Sequence, residues 1–195
     1  MAANMFLEQG YEAVSLDTLI ASVGGSRRNI YDNFGGKEGL FIEAVTECCA
    51  ELAAPLEQLD IHGSDPRDAL LLFGCKILET VVQPRALALH RLMVAEGQRF
   101  PELSRSIWHA GHDNATRLLA RWFADRQRDG QFRADMPAAT LAAHYISLAV
   151  TTPQLRCLVG ENASLKPAEI SKIVDDAVTL FLEGALTEKD QVQNA

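Results

Sequence analysis

Between Ser26 and Lys37 the chain gathers two arginines, two asparagines, a tyrosine and a lysine, set off by the glycine pairs at 24–25 and 35–36. A guanidinium can donate two parallel hydrogen bonds to guanine and a carboxamide can pair with adenine. Hydroxyl and ammonium groups reach phosphate oxygens. In that chemistry Arg27, Arg28 and Asn29 read base edges, while Ser15, Ser26, Tyr31, Asn33 and Lys37 hold the phosphate backbone. Lys37 also stands where a further helix is predicted to start, and the free N–H groups of such a start favour an anion. The same residues suit an ordinary solvated helical face, and spacing alone does not separate the two readings. Asp32 lies inside the segment, where it repels phosphate unless it accepts from a cytosine amino group or pairs with an arginine. Both remain open at the level of sequence.

Other reactive side chains are weaker signals. His109 and His112, followed by Asp113, could share a helical face and hold a metal with His90 as a third ligand, but a solvated or core histidine pair is commoner, and no metal is expected. Cys48 and Cys49 are adjacent and could sense thiophilic metals or oxidants. Small apolar cysteines in a helix are more often packing residues. No nucleophile motif, phosphate-binding P-loop or recognisable pair of catalytic carboxylates occurs. The chain is therefore expected to be neither an enzyme nor a cofactor protein.

The elements that must carry these residues are helices. Apolar residues recur at spacings of three and four, and Gly or Pro marks the breaks, so the fold class is all-α. A first helix, "MAANMFLEQ", is closed by Gly10. Ser15 caps a second, with Val14 and Leu19 as a hydrophobic staple and Leu16, Leu19, Ile20 and Val23 as its apolar stripe. After Gly24 and Gly25, Ser26 caps a third that runs to about Asn33, giving helix, tight turn, helix. Ile30 and Phe34 are predicted to bury against Leu19 and Val23, turning the polar residues outward. A fourth helix from near Lys37 reaches Pro55, which kinks or ends it. Asp65 and Pro66 open a fifth, Pro84 a sixth, and one long helix spans Pro101 to Gly130. Two more, Pro137 to Gly160 and about Lys166 to Leu186, precede a frayed tail, "TEKDQVQNA". The chain divides into a head, 1–46, and a body, 47–195.

In the body the helix from Pro137 is apolar nearly all round and needs cover on two sides. Leu141, Tyr145, Leu148, Thr152 and Leu155, with Val174, Val178, Phe181 and Leu182 of the last helix, are predicted to form a two-fold four-helix interface between copies; a central core helix is the competing reading. Phe73, His90, Met93, Trp108, His112, Trp122 and Phe123 are candidates for a pocket suited to an aromatic or amphipathic effector, with core packing as the plainer role of most of them.

The composition limits what contact with DNA can look like. Net charge is -8, so no coating of nucleic acid or anionic membrane by bulk charge is expected, and any contact must be local. Residues 1–46 hold three basic residues (Arg27, Arg28, Lys37) against six acidic ones (Glu8, Glu12, Asp17, Asp32, Glu38, Glu43). All three basic residues lie on the proposed face. No apolar run is long enough to span a bilayer, no secretion signal is recognisable, and the four cysteines form no framework pattern, so a cytoplasmic location is expected.

Residues 6–45, "FLEQGYEAVSLDTLIASVGGSRRNIYDNFGGKEGLFIEAV", resemble the DNA-binding head of the TetR/AcrR family of bacterial transcriptional regulators, in order and without gaps. The match holds Phe6, Gly10, Ser15, Ser26, the Tyr-x-x-Phe-x-x-Lys signature as Tyr31, Phe34 and Lys37, and Leu40. The stretch "ALALHRLMVAEGQRFPELSRSIW" is similar, more weakly, to an AcrR-like body. The resemblance implies a homodimeric repressor that a small apolar or aromatic effector releases from a palindromic double-stranded operator. Members usually carry a longer first helix behind a basic arm, whereas here about two turns are expected from Met1. With the acidic head, that difference suggests an alternative: a small-molecule-binding or protein-binding helical dimer with little DNA affinity.

Overall fold

A computed structural model describes residues 1–62, 65–161 and 164–185, with the side chains of Val23 and Ala185 outside the described residues. Leu186 and the tail after it fall outside them too. The described elements are helical: α1 (Ala2–Ala13), α2 (Leu16–Val23), α3 (Arg27–Phe34), α4 (Lys37–Glu57), α5 (Pro66–Val81), α6 (Pro84–Glu96), α7 (Pro101–Trp108), α8 (Asn114–Arg128), α9 (Ala138–Ile146), α10 (Thr152–Leu158) and α11 (Pro167–Ala185). No strand element occurs among the described residues. α1 breaks at Gly10, and α4 runs past Pro55 to end two residues later.

Two helices predicted as continuous contain a π-turn, one at His109–Asp113 between α7 and α8, the other at Ser147–Thr151 between α9 and α10. The second has a local cause. Pro153 lacks an N–H, and its ring would collide with the carbonyl four residues back in a regular helix. Widening the preceding turn relieves both problems and keeps the chain helical on either side.

The chain forms two compact units, Met1–Leu52 with Pro84–Gly111, and Ala53–Gln83 with His112–Ala195. The sequence boundary at 46/47 is not where these units divide, because α6 and α7 return to the unit that holds α1–α3. In that first unit an aromatic cluster fills the centre. Phe6 meets Phe41 edge-on at 4.8 Å, Tyr11 lies 4.6 Å from Phe100 and 4.9 Å from Phe41, and Leu103 and Ile107 are buried beside them. Edge-to-face contacts of this kind add to the stabilisation from area burial alone.

The second unit packs α8 on α9 and α5 on α11. Trp122, Phe123, Phe132, Tyr145 and Phe181 stack through its interior. The Trp122 indole N–H donates to the Ile61 carbonyl at 3.1 Å and the Tyr145 hydroxyl to the Leu70 carbonyl at 2.6 Å, so both buried polar tips are satisfied. Asp65 caps α5 by accepting from the Arg67 N–H at 2.9 Å, and Pro66 occupies the first turn.

Candidate nucleic-acid interface

Local rules build the helix-turn-helix. Ser15 Oγ accepts from the Thr18 N–H at 3.0 Å, and Val14 and Leu19, fully buried, close the staple across the start of α2. Ser26 Oγ accepts from the Asn29 N–H at 3.2 Å at the start of α3. Gly24 (φ 77°) and Gly35 (φ 71°) end the two helices in the left-handed half of backbone space, where a Cβ is penalised. α3 is thus a two-turn helix fixed at both ends.

Ile30 anchors α3 in the core at 6% exposure, but Phe34, predicted to bury beside it, is 37% exposed. One apolar anchor and the caps therefore hold the helix. Phe34 sits at the exit, where the turn through Gly35 and Gly36 leaves its ring at the surface. The side chain of Val23, its predicted partner, lies outside the described residues.

Arg27, Arg28, Asn29, Tyr31 and Asn33 are exposed together on α3, with Tyr31 59% exposed. Arg27 is held by Asp17 of α2: Nη2 donates to Oδ2 at 2.7 Å and to Oδ1 at 2.8 Å, and Nε donates to Oδ1 at 3.1 Å. These bonds push the Arg27 pKa further up, so it stays a cation. Asp32, whose role the sequence left open, lies 3.4 Å from Arg28 Nε, one helical turn away. Asn33 Nδ2 donates to the Asn29 carbonyl at 2.8 Å, which spends one of its two N–H bonds inside α3. The Ser15 and Ser26 hydroxyls each accept a backbone N–H in capping; Ser26 keeps its O–H with which to meet a phosphate, whereas the Ser15 hydroxyl also shares a hydrogen bond with the Thr18 hydroxyl.

Lys37 is half-buried, its Nζ 4.2 Å from the centre of the Tyr11 ring; Arg99 flanks the same ring at 5.1 Å and pairs with Glu12. Sequence reasoning missed three of these participants. Thr18 shares a hydrogen bond with Ser15 at 2.6 Å, Asp17 engages Arg27, and Arg99 reaches Tyr11 from a distant segment. An exposed hydroxyl one turn past Ser15 was the sole available signal, for Thr18; the other two depend on tertiary approach.

The predicted pocket residues separate. Phe73 and Trp122 line one cleft of about 680 Å³ in the second unit, with Leu56, Leu59, Ile61 and Leu118 as further apolar wall and Arg121 among its polar groups. Phe123 is buried in the neighbouring aromatic stack rather than on this cleft. His90, Met93 and Trp108 belong to the first unit, where Met93 packs against the aromatic core, Trp108 is 50% exposed, and burial lowers the His90 pKa. His112 lies on the π-turn, its pKa lowered chiefly by burial and raised in part by Asp113. Among the described residues no three of His, Cys, Asp and Glu form a group that could hold a metal ion, so His90, His109, His112 and Asp113 do not converge. Cys48 and Cys49 are buried in the head core and burial raises both thiols, Cys49 to about 12, which suits packing rather than sensing.

The predicted interface set also divides. Leu141, Tyr145, Val174, Val178 and Phe181 are buried within the second unit of a single chain and offer no surface to a second copy. Sequence could not show that α8 and α11 already pack on α9 within a single chain. Leu148, Thr152 and Leu155 are exposed and Leu182 half-buried; Val159 and Leu180, at 70% and 60% exposure, were not anticipated.

A capped two-turn helix presenting cations and amides, held by a tight turn on a second helix, defines a class: helix-turn-helix DNA-binding regulators. Residues 1–44 match the family "Bacterial regulatory proteins, tetR family", and residues 68–184, more than half of the chain, match "AefR-like transcriptional repressor, C-terminal domain". The chain belongs to the TetR family of bacterial regulatory proteins. It is 31% identical over 107 residues to YezE, an uncharacterized HTH-type transcriptional regulator of Bacillus subtilis (strain 168), over 53% of this chain and 55% of YezE. It thus spans about half the length of that curated relative. A TetR-family protein from Mesorhizobium loti MAFF303099 shares the fold with a TM-score of 0.86 at 22% identity, over 95% of this chain and 93% of the other. The flavonoid-responsive regulator FrrA does so with a TM-score of 0.81 at 24% identity and the same coverages.

Proposed function

We propose that the chain is a ligand-responsive, DNA-binding transcriptional repressor that acts in the cytoplasm as a homodimer. The observation that carries this reading is α3, rigid by its two caps and the Ile30 anchor, with Arg27, Arg28, Asn29, Tyr31 and Asn33 all on its open side. Arg27, Arg28 and Asn29 read bases in the major groove, and Ser15, Ser26, Tyr31, Asn33 and Lys37 hold phosphates. The exposed apolar residues Leu148, Leu155, Val159 and Leu180 support a surface between two copies. Two such heads spaced by about one helical turn of DNA, 34 Å, read successive major grooves of a palindrome.

The cleft lined by Phe73 and Trp122 supports a small aromatic effector, a reading in keeping with the flavonoid response named for FrrA. An effector that prefers the operator-incompetent state tenfold shifts that equilibrium by about 1.4 kcal/mol. The family match speaks against a helical dimer without DNA affinity.

The test is fluorescence anisotropy with DNA from upstream of the gene across a salt series, using wild type, Arg28→Ala and Asn29→Ala. Sequence-specific binding that tightens at low salt, with specificity relaxed in either variant, is the expected result. Equal, unspecific binding by all three would overturn the reading.

A further inference from the structure

The charges around the cleft of the second unit are unequal in their commitments. Two carboxylates line it, and both have partners: Glu57 accepts from Asn114 Nδ2 at 2.6 Å, and Asp125 accepts from Arg128 Nη2 at 2.5 Å. Arg128 is thereby engaged as well. Asp125 is the acid one helical turn beyond Arg121 on α8, the position from which it would ordinarily pair with it, and it is taken. Among the described residues Arg121 makes no hydrogen bond and no ion pair, and it shares the cleft with the engaged groups Glu57, Asp125 and Arg128, with His62, and with an apolar wall of Leu56, Leu59, Ile61, Phe73, Leu118 and Trp122.

The Trp122 indole N–H is spent on the Ile61 carbonyl, so the ring contributes only apolar surface there. The cleft therefore presents one uncommitted planar cation beside hydrocarbon and aromatic edges. Arg121 is exposed at the cleft, and a guanidinium there matches a carboxylate in two parallel charge-assisted hydrogen bonds.

We propose that the effector this cleft takes is an aromatic carboxylate, its ring against Ile61, Leu118 and Trp122 and its carboxylate on Arg121. The inference rests on the effector reading of the cleft given above and adds the charge of the ligand. A neutral aromatic of the same shape fills the wall and leaves the arginine unpaired, so discrimination falls on the anion.

The probes are 2-naphthoate and its neutral isostere 2-naphthamide, titrated into the full-length protein. Binding is followed by Trp122 emission in a Trp108→Phe background, Trp108 being the other of the two tryptophans. The expected result is a preference for the carboxylate of about tenfold, abolished in Arg121→Gln and reduced but not abolished in Arg121→Lys, which keeps the charge without the bidentate fork, with thermal melting showing that both variants fold. Equal affinities in the wild type, a preference that survives Arg121→Gln, or no binding of either probe at millimolar concentration would each overturn the proposal. Operator binding by the wild type is measured separately. Its failure removes the repressor reading while leaving a carboxylate preference intact, and the converse pattern removes only the ligand class.

Discussion

Asp17 grips the Arg27 guanidinium through both carboxylate oxygens, with both side chains about two-thirds exposed to water. A guanidinium held this way cannot at the same time present its fork to a guanine, so DNA must compete with an internal anion for the same donors. Exposed pairs are weak, and the competition is one that DNA can win. Asp17→Asn is therefore expected to tighten operator binding by up to about fivefold at low salt, since it frees the fork and removes a negative charge facing the phosphates. The gain should shrink as salt rises. Unchanged or weaker anisotropy titrations for this variant would show that Arg27 keeps its partner when DNA binds. The Arg28–Asp32 contact, longer and within one helix, shows the arginine pairing of Asp32 in the chain without DNA.

At the scale of elements, the turn from α3 into α4 is the tightest joint in the head. A Cβ at Gly39 would lie 1.7 Å from the Phe34 carbonyl oxygen, a backbone atom that moves only if the end of α3 moves. Gly39→Ala is expected to destabilise the protein by about 1–3 kcal/mol and to weaken DNA binding beyond that, because the displaced element is the reader itself. A thermal melt and an anisotropy titration check this; wild-type values in both would mean the joint can relax. The parts of this region legible in the sequence were those set by local rules. Caps at Ser15, Ser26 and Asp65, the Val14–Leu19 staple and the glycine turns each involve residues within a few positions of one another. What escaped was decided at a distance. Tyr145 and Val174 carry the apolar pattern of an interface, and only the packing of α5 on α11 shows that their surface is already used. The π-turn before Pro153 escaped for another reason: a proline forbids one hydrogen bond without saying which alternative the helix will take.

Across the whole molecule, the head's core is drawn from two separated stretches of chain. Phe6, Tyr11 and Phe41 come from the first and Phe100, Leu103 and Ile107 from the second, and Tyr11 touches Phe100 as closely as it touches Phe41. A polypeptide of residues 1–52 is therefore expected to keep some helix by circular dichroism but to lose a cooperative thermal transition, because Tyr11 and Phe41 lose an aromatic partner to water. A sharp melt in that fragment would show that the first stretch suffices. The discontinuity also bears on how such proteins can exchange parts. A reader of DNA encoded by one uninterrupted stretch could be moved between relatives as a cassette, with its specificity carried along. Here a transplanted N-terminal segment would arrive without Phe100, Leu103 and Ile107, so recombination that preserves a working head must respect joints near 52, 83 and 111 together. New operator specificity in this lineage is then more accessible by point substitution along α3 than by shuffling of heads.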